Sequence, residues 1–231
     1  MKIIDLTHSI SEKMLMYPGT ASPTLQVAYN CMEHGFMETL VTIYSHTGTH
    51  IDTPAHLYTN GLTLDKYPIE QFVGRGLVMD CRDLVAGENI TMKLLESKGS
   101  TLFEAEFILF FTGHSALWGK QEYFENYPIM SEEVVEWINH HQLKGIGIDA
   151  PSFDPITMSS LDNAASDLHT HRAILKTGKT VLIENLCNLE KVGNELFMLY
   201  ALPLPLSNAD GAPARVVAVK PVATPSLPPH F

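Results

Sequence analysis

Between positions 46 and 56 the chain reads His-Thr-Gly-Thr-His-Ile-Asp-Thr-Pro-Ala-His, and His46, His50, Asp52 and His56 all fall on even positions. No single regular element can use these four side chains together. In an extended strand, at roughly 3.3 Å per residue, His46 and His50 would stand about 13 Å apart, too far to share an ion. In a helix, residues four apart are neighbours, but Thr-Gly-Thr followed by Ile and Thr is a poor helix former. What remains is a turn at Gly48, where a residue without Cβ lets the backbone double back. Such a turn gathers His46, His50 and Asp52 around one point, at the end of a strand over residues 38–44. Pro54 then redirects the chain and returns His56 to the same neighbourhood. With 11 histidines in 231 residues, an 11-residue window holds about half a histidine on average, and this one holds three. Imidazole nitrogens with a carboxylate form a borderline-hard donor set suited to zinc, manganese or iron. The competing reading, for each residue taken singly, is a histidine-rich surface loop or a hydrogen-bonded core histidine.

Around this segment the sequence is strand-rich. Runs of β-branched and aromatic residues ending at Gly, Pro or Asp predict strands over residues 24–29, 38–44, 76–80, 107–112, 145–149, 181–184, 196–201 and 215–219. Helices are fewer. The clearest covers residues 132–141, with Ser131 as its cap, Glu132 and Glu133 at its positive end, and Val134, Val135 and Ile138 as an apolar stripe. A second runs over residues 167–176 with Gly178 placed to end it, and a third over residues 91–98. No glycine-rich phosphate loop follows a strand and no linker divides the chain. The pattern predicts one α/β domain over residues 1–231 with a mixed sheet, ending in a proline-rich arm from Pro221 to Phe231.

Composition narrows the partners. A net charge of −11 speaks against nucleic acid and anionic membrane surfaces, since both call for a basic patch. Cys31, Cys81 and Cys187 are odd in number and far apart, which predicts neither a disulfide framework nor a cysteine metal site and fits a reducing compartment. The acidic opening residues predict no signal peptide, and no apolar run approaches the roughly eighteen residues of a membrane span. The expectation is a soluble cytoplasmic protein.

The segment from His46 to His56 resembles the signature of the cyclase-like metal-dependent hydrolases, the family that includes bacterial kynurenine formamidase and isatin hydrolase. Four further stretches are similar to that family: Ile4-Asp5-Leu6-Thr7-His8 with Tyr17-Pro18-Gly19, the block from Gly147 to Asp154, the block from Ala201 to Leu206, and Asp210-Gly211-Ala212-Pro213-Ala214-Arg215. The resemblance therefore spans most of the chain. It implies a swivelling β/β/α fold whose central mixed, barrel-like sheet is flanked by helices. It implies a homodimer or homotetramer, with the proline-rich arm and the aromatics Tyr123, Phe124 and Tyr127 as candidate contacts. For the site, it implies that His46, His50 and Asp52 bind metal and that His56 is the catalytic histidine. A later helical histidine and a strand-end glutamate complete a second metal position in the family, matched here by His171 and Glu184. Their separation is one residue longer than the family's usual spacing, which leaves His169 open as an alternative to His171. Glu184 also has an independent case, because it interrupts the apolar run Val181-Leu182-Ile183 and a carboxylate there needs a partner.

The activity implied is hydrolysis of a small amide, cyclic amide or ester. One or two divalent ions, zinc or manganese, would acidify a bound water and polarise the carbonyl. Histidine is the side chain that ordinarily titrates near neutrality, and His56 would carry the proton from that water to the leaving nitrogen. No organic cofactor is indicated. N-formylkynurenine hydrolysis is the closest activity by resemblance, although Tyr17 stands where formamidases carry Trp and Thr20 where they carry Asp. Tyr17, His114 and Ser152 are the candidate pocket residues, and Asp149 and Asp154 support the loop around Ser152. A Ser-His-Asp hydrolase built on Ser152 lacks a G-x-S-x-G elbow, and Pro151 precedes the serine. A reading of another class, a metal-stabilised binding or structural protein without turnover, is opposed by the presence of His56.

Overall fold

The computed structural model describes residues 1–84, 87–156 and 168–221. In chain order its strands begin with β1 (Lys2–Asp5), β2 (Thr24–Tyr29), β3 (Glu38–Thr42), β4 (His50–Asp52), β5 (Val73–Asp80) and β6 (Asn89–Ile90). They continue with β7 (Phe107–Phe111), β8 (Ile129–Met130), β9 (Gly145–Ile148), β10 (Val181–Glu184), β11 (Phe197–Pro203) and β12 (Gly211–Lys220). The α-helices are α1 (Cys31–His34), α2 (Met92–Glu96), α3 (Glu132–His141) and α4 (His169–Leu175).

The main sheet runs β12-β11-β5-β7-β9-β10-β4, and β4 pairs back onto β12, so seven strands close on themselves. Neighbours from β5 to β10 are parallel, and the remaining pairs are antiparallel. This is the mixed, barrel-like α/β sheet expected from the sequence. β12 is long enough to serve two partners along one edge: Gly211 to Pro213 pair with β4, and Val217 to Lys220 pair with β1.

Parallel strands are covered on both faces and therefore read as continuous apolar runs. In β7, Phe107 and Leu109 fill the barrel interior with Ile51, Val181, Ile183, Leu199 and Val216. The alternate residues Ile108 and Phe110 face outward, against Val134, Val135 and Ile138 of α3 and Ile174 and Leu175 of α4. β9 reads Gly-Ile-Gly-Ile for the same reason. Ile146 and Ile148 join the helix layer, while a Cβ at Gly145 would lie 2.7 Å from Phe107 and one at Gly147 would lie 2.6 Å from Leu109 and 2.7 Å from Leu186. The large residues of β7 leave room only for glycine beside them.

Several expectations need correction. Ser131 precedes α3 but makes no side-chain cap bond, and its hydroxyl is buried without a partner. The third helix shrinks to Met92–Glu96, and α4 begins at His169, Asp167 lying outside the described residues. β12 starts four residues earlier than residue 215, because Ala212 and Ala214 pack inside the barrel despite a weak intrinsic strand preference. β4 lies where only a turn was expected. Tyr123, Phe124 and Tyr127, expected at a subunit contact, are buried within the chain. The arm beyond Pro221 lies outside the described residues. Among the described residues no helix is long and apolar enough to cross a membrane.

Because the barrel interior is full beside β9, Gly147→Ala should destabilise the protein by roughly 1–3 kcal/mol through overpacking. Urea unfolding checks this; an unchanged midpoint would mean that the space around Gly147 relaxes freely.

Candidate metal centre and active site

The site is built by pairing across the barrel seam. Gly48 takes a positive φ of +67°, which supplies the expected turn, and the chain then enters β4. Along a strand, residues two apart share a face. Ile51 faces the barrel interior, and His50 and Asp52 face away from it. The antiparallel register sets His50 directly opposite Glu184 at the end of β10. α4 packs over the same face and brings in His171.

The resulting distances are short. Asp52 Oδ1 lies 2.6 Å from His46 Nδ1 and 3.1 Å from His50 Nε2, and its Oδ2 lies 3.4 Å from His171 Nε2. Glu184 lies 3.1 Å from His171 Nε2 and 3.5 Å from His50 Nε2. Three compact donor groups occur among the described residues, His46/His50/Asp52, Asp52/His171/Glu184 and His46/His56/Asp210, each with ligand atoms within 4.8 Å of one another, and Asp52 is common to the first two.

Each imidazole is held from behind. His50 Nδ1 sits 2.8 Å from the Gly48 carbonyl, His171 Nδ1 2.7 Å from Asp154, and His46 Nε2 2.8 Å from Asp210. When the outer nitrogen donates to such an acceptor, the inner nitrogen keeps its lone pair aimed at the common centre, which is the outer-shell pattern of metal-binding histidines. Asp154 also accepts the backbone N–H groups of Thr170 and His171, so one carboxylate anchors the start of α4 and orients its histidine.

Charge makes the same case. Burial pushes the Asp52 carboxyl up, but His50, His46 and His171 outweigh it and hold it well below its ordinary range. Burial pushes His46 down, and Asp52 and Asp210 overcome that, raising it to about 10. His171 is likewise raised by Asp154, Asp52 and Glu184 against its burial. Neither Asp52 nor Glu184 has a lysine or arginine partner among the ion pairs of the described residues. Buried carboxylates in this setting demand positive charge, and a divalent cation held by the same donors meets that demand without protons on the imidazoles. The residues present therefore fit a metal.

The structure separates the two rivals for the later ligand: His171 is buried on the inner side of α4 and His169 is exposed. His56, in a short 3-10 turn after Pro54, stands beside the centre, its ring centroid 4.1 Å from that of His46. A cavity of about 380 Å³ opens over these groups, lined on one side by His46, His50, Asp52, His56, His171 and Glu184 and on the other by Met14, Tyr17, Tyr44, Trp118, Tyr123 and Phe124. Tyr17 and Ser152 border it. His114 does not: its Nε2 bonds the Tyr123 carbonyl at 2.9 Å, so it braces that tyrosine from behind instead of lining the pocket. Asp149 braces the same wall, accepting from Thr112, Gly113 and Ser115 just before Trp118.

Sequence reasoning missed Asp210, Asn185 and Trp118. Asn185 accepts from the Tyr123 hydroxyl at 2.8 Å and donates to the Gly48 carbonyl at 3.0 Å. His8 acquires a place through Trp118, on which its ring stacks at 3.9 Å. Asp210 carried a signal in its neighbour. A Cβ on Gly211 would lie 2.4 Å from the Ile51 carbonyl and 3.0 Å from His46, so the glycine marks a close approach of β12 to the centre.

The Cyclase family model matches residues 4–155. The chain belongs to the Cyclase family. A kynurenine formamidase of Bacillus cereus is 30% identical to this cyclase-family chain over 221 residues, 95% of this chain and 97% of that protein. A solved "potential metal-dependent hydrolase with cyclase activity" is 26% identical, with a TM-score of 0.71 over 94% of this chain and 96% of that one. Isatin hydrolase A of Ralstonia solanacearum shares the fold at a TM-score of 0.79, with 23% identity over 95% of this chain and 92% of that one. The family model ends before His171, Glu184 and Asp210 of this chain, whose place in the site rests on the geometry above.

Ligand binding energy is linked to folding, so His171→Ala should lose bound metal and thermal stability while His169→Ala keeps both. Metal analysis and thermal melts of protein purified without chelator distinguish them. Equal metal content in the two variants would remove His171 from the set.

Proposed function

We propose that this chain is a metal-dependent hydrolase of a small amide, cyclic amide or ester, with an aryl formamide such as N-formylkynurenine as the favoured substrate type. The observation that carries the reading is the pair of donor triplets sharing Asp52 beneath a cavity that also holds His56. The cavity volume, about 380 Å³, falls at the small end of the ligand-pocket range of roughly 300–1,000 Å³, which suits a small molecule and not a polymer. Its aromatic side, with Tyr17 edge-on to Phe124, offers faces on which an aryl ring can pack.

His46, His50 and Asp52 would hold one ion, and Asp52, His171 and Glu184 a second where two bind; zinc or manganese suits the mixed nitrogen and oxygen donors. An ion held there would supply Lewis acidity at the carbonyl oxygen and would lower the pKa of water towards neutrality. His56 takes the proton of the attacking water and passes it to the nitrogen as the C–N bond breaks, so that the acid and the amine leave with protons balanced. Trp118, Tyr123 and the Met14–Tyr17 stretch keep bulk water from the reacting face.

For the homodimer or homotetramer implied by the family, the β2–β3 hairpin is the proposed contact surface, in place of the aromatics first considered. Val27, Tyr29, Met32, Phe36, Met37, Leu40, Val41 and Tyr44 are all exposed there. A lone two-stranded hairpin is marginal in water, and a second copy covering it would bury that surface. A cytoplasmic location is consistent with three free cysteines and no disulfide.

His56→Asn should keep metal and fold but lower turnover of N-formylkynurenine or a related aryl amide by roughly 10²–10⁴-fold. Steady-state kinetics with parallel metal analysis measures this. Loss of metal would make His56 a ligand, and undiminished turnover would give the proton transfer to another group.

A further inference from the structure

We propose that Asp210 is a positioning residue that fixes the tautomer of His56, leaving Nε2 as the nitrogen able to accept a proton, and ties that ring to the outer nitrogen of His46. The kinetic consequence rests on the hydrolase reading above; the tautomer itself does not.

Two imidazole nitrogens converge on this carboxylate. Asp210 Oδ2 lies 2.8 Å from His46 Nε2 and 3.3 Å from His56 Nδ1. An ionised carboxylate offers acceptors alone, so each nitrogen that faces it must carry a hydrogen. A neutral imidazole carries one hydrogen; placed on Nδ1 of His56, it leaves the Nε2 lone pair available. His46 has a carboxylate at each nitrogen, Asp210 at Nε2 and Asp52 2.6 Å from Nδ1; a cation shared with Asp52 would take the Nδ1 lone pair, and the one remaining hydrogen then sits on Nε2, facing Asp210. One acid thus sets both rings, the one that binds and the one that moves a proton.

The backbone keeps this carboxylate in place. The Asp210 carbonyl accepts from Thr53 N at 3.0 Å and Thr53 Oγ1 at 2.9 Å, and His56 N bonds the Thr53 carbonyl at 3.0 Å. Asp210 and His56 are therefore fastened to the same residue. On the other side Gly211 cannot yield, because a Cβ there would meet Ile51 and His46. A short side chain on a rigid strand start is the arrangement expected where orientation matters more than reach.

The test uses full-length zinc-loaded protein with ¹⁵N-labelled histidine. Long-range ¹H–¹⁵N correlation spectra report the tautomer of each ring, and the His56 signals are identified by their loss in His56→Asn. Wild type should show His56 with Nδ1–H. In Asp210→Asn the amide can donate to Nδ1, so His56 should shift towards Nε2–H. With zinc reloaded to the wild-type content, kcat should fall by roughly 10²–10⁴-fold with KM little changed, as for loss of an orienting carboxylate. Asp210→Glu should restore the Nδ1–H signal in part, and Asp210→Ser gives a second reading if the asparagine variant fails to fold. An unchanged His56 tautomer in Asp210→Asn and Asp210→Ser, each reloaded with zinc, would overturn the proposal. A moved tautomer with undiminished turnover would support the positioning role and count against His56 as the proton carrier.

Discussion

The pairing of β4 with both β10 and β12 is the contact on which the rest depends. β4 is three residues long, yet it closes the barrel and supplies His50 and Asp52 to the site. Ile51, between them, is completely buried in the barrel interior. The same three residues therefore fasten the hydrophobic core on one face and present the donors on the other. A shift of register by one residue would send the acid and the imidazole into the apolar core, so the strand has only one tolerable alignment. That constraint explains how a short, polar-flanked strand can hold the seam of a closed sheet.

Charge balance follows from the same seam. Asp52 and Glu184, only 1% and 5% exposed, sit where the strands bring imidazoles and no ammonium or guanidinium. Unpaired, two such carboxylates would oppose folding strongly. Imidazoles can answer them with protons or by sharing a cation, and the outer bonds to Gly48, Asp154 and Asp210 turn every inner nitrogen towards the second solution. The relatives named above as metal-dependent hydrolases share this fold, and here the fold alone places the acids where a cation is needed.

Much of this could be read in the residues. The His46–His56 spacing forced a turn at Gly48, and the glutamate interrupting Val181-Leu182-Ile183 announced a partner. Strands such as Thr24–Tyr29 and Val181–Glu184 fell at their expected bounds because their patterns are long and uninterrupted. β4 was illegible because three residues are too few to show a period of two. The burial of Tyr123 and Tyr127 was hidden for another reason: their hydroxyls find Asn185 and the Asp154 carbonyl inside the molecule, and no local pattern reveals distant partners. Asp210 was out of reach because it meets His46 across 164 residues of chain.

Chemistry and selectivity are carried by different parts of the fold. The donors stand on β4, β10 and α4, elements locked by the core, and their positions leave little to vary. The opposing wall comes from connections, the stretch carrying Met14 and Tyr17 and the loop carrying Trp118, Tyr123 and Phe124. Loops tolerate substitution where strands do not, which is where a family that keeps one centre can change its substrates. Yet this wall is not loose: Asp149 gathers the start of the Trp118 loop, His114 bonds the Tyr123 carbonyl, and His8 stacks on Trp118 from the side. Tyr17 touches Phe124 edge-on from a stretch without regular structure. A change of side chain at Tyr17 would therefore alter the shape of the pocket wall without disturbing the donors beneath it. The donors fixed by the core and the braced but replaceable aromatic wall are thus physically separate parts of one site, so the wall can change while the donors keep their positions.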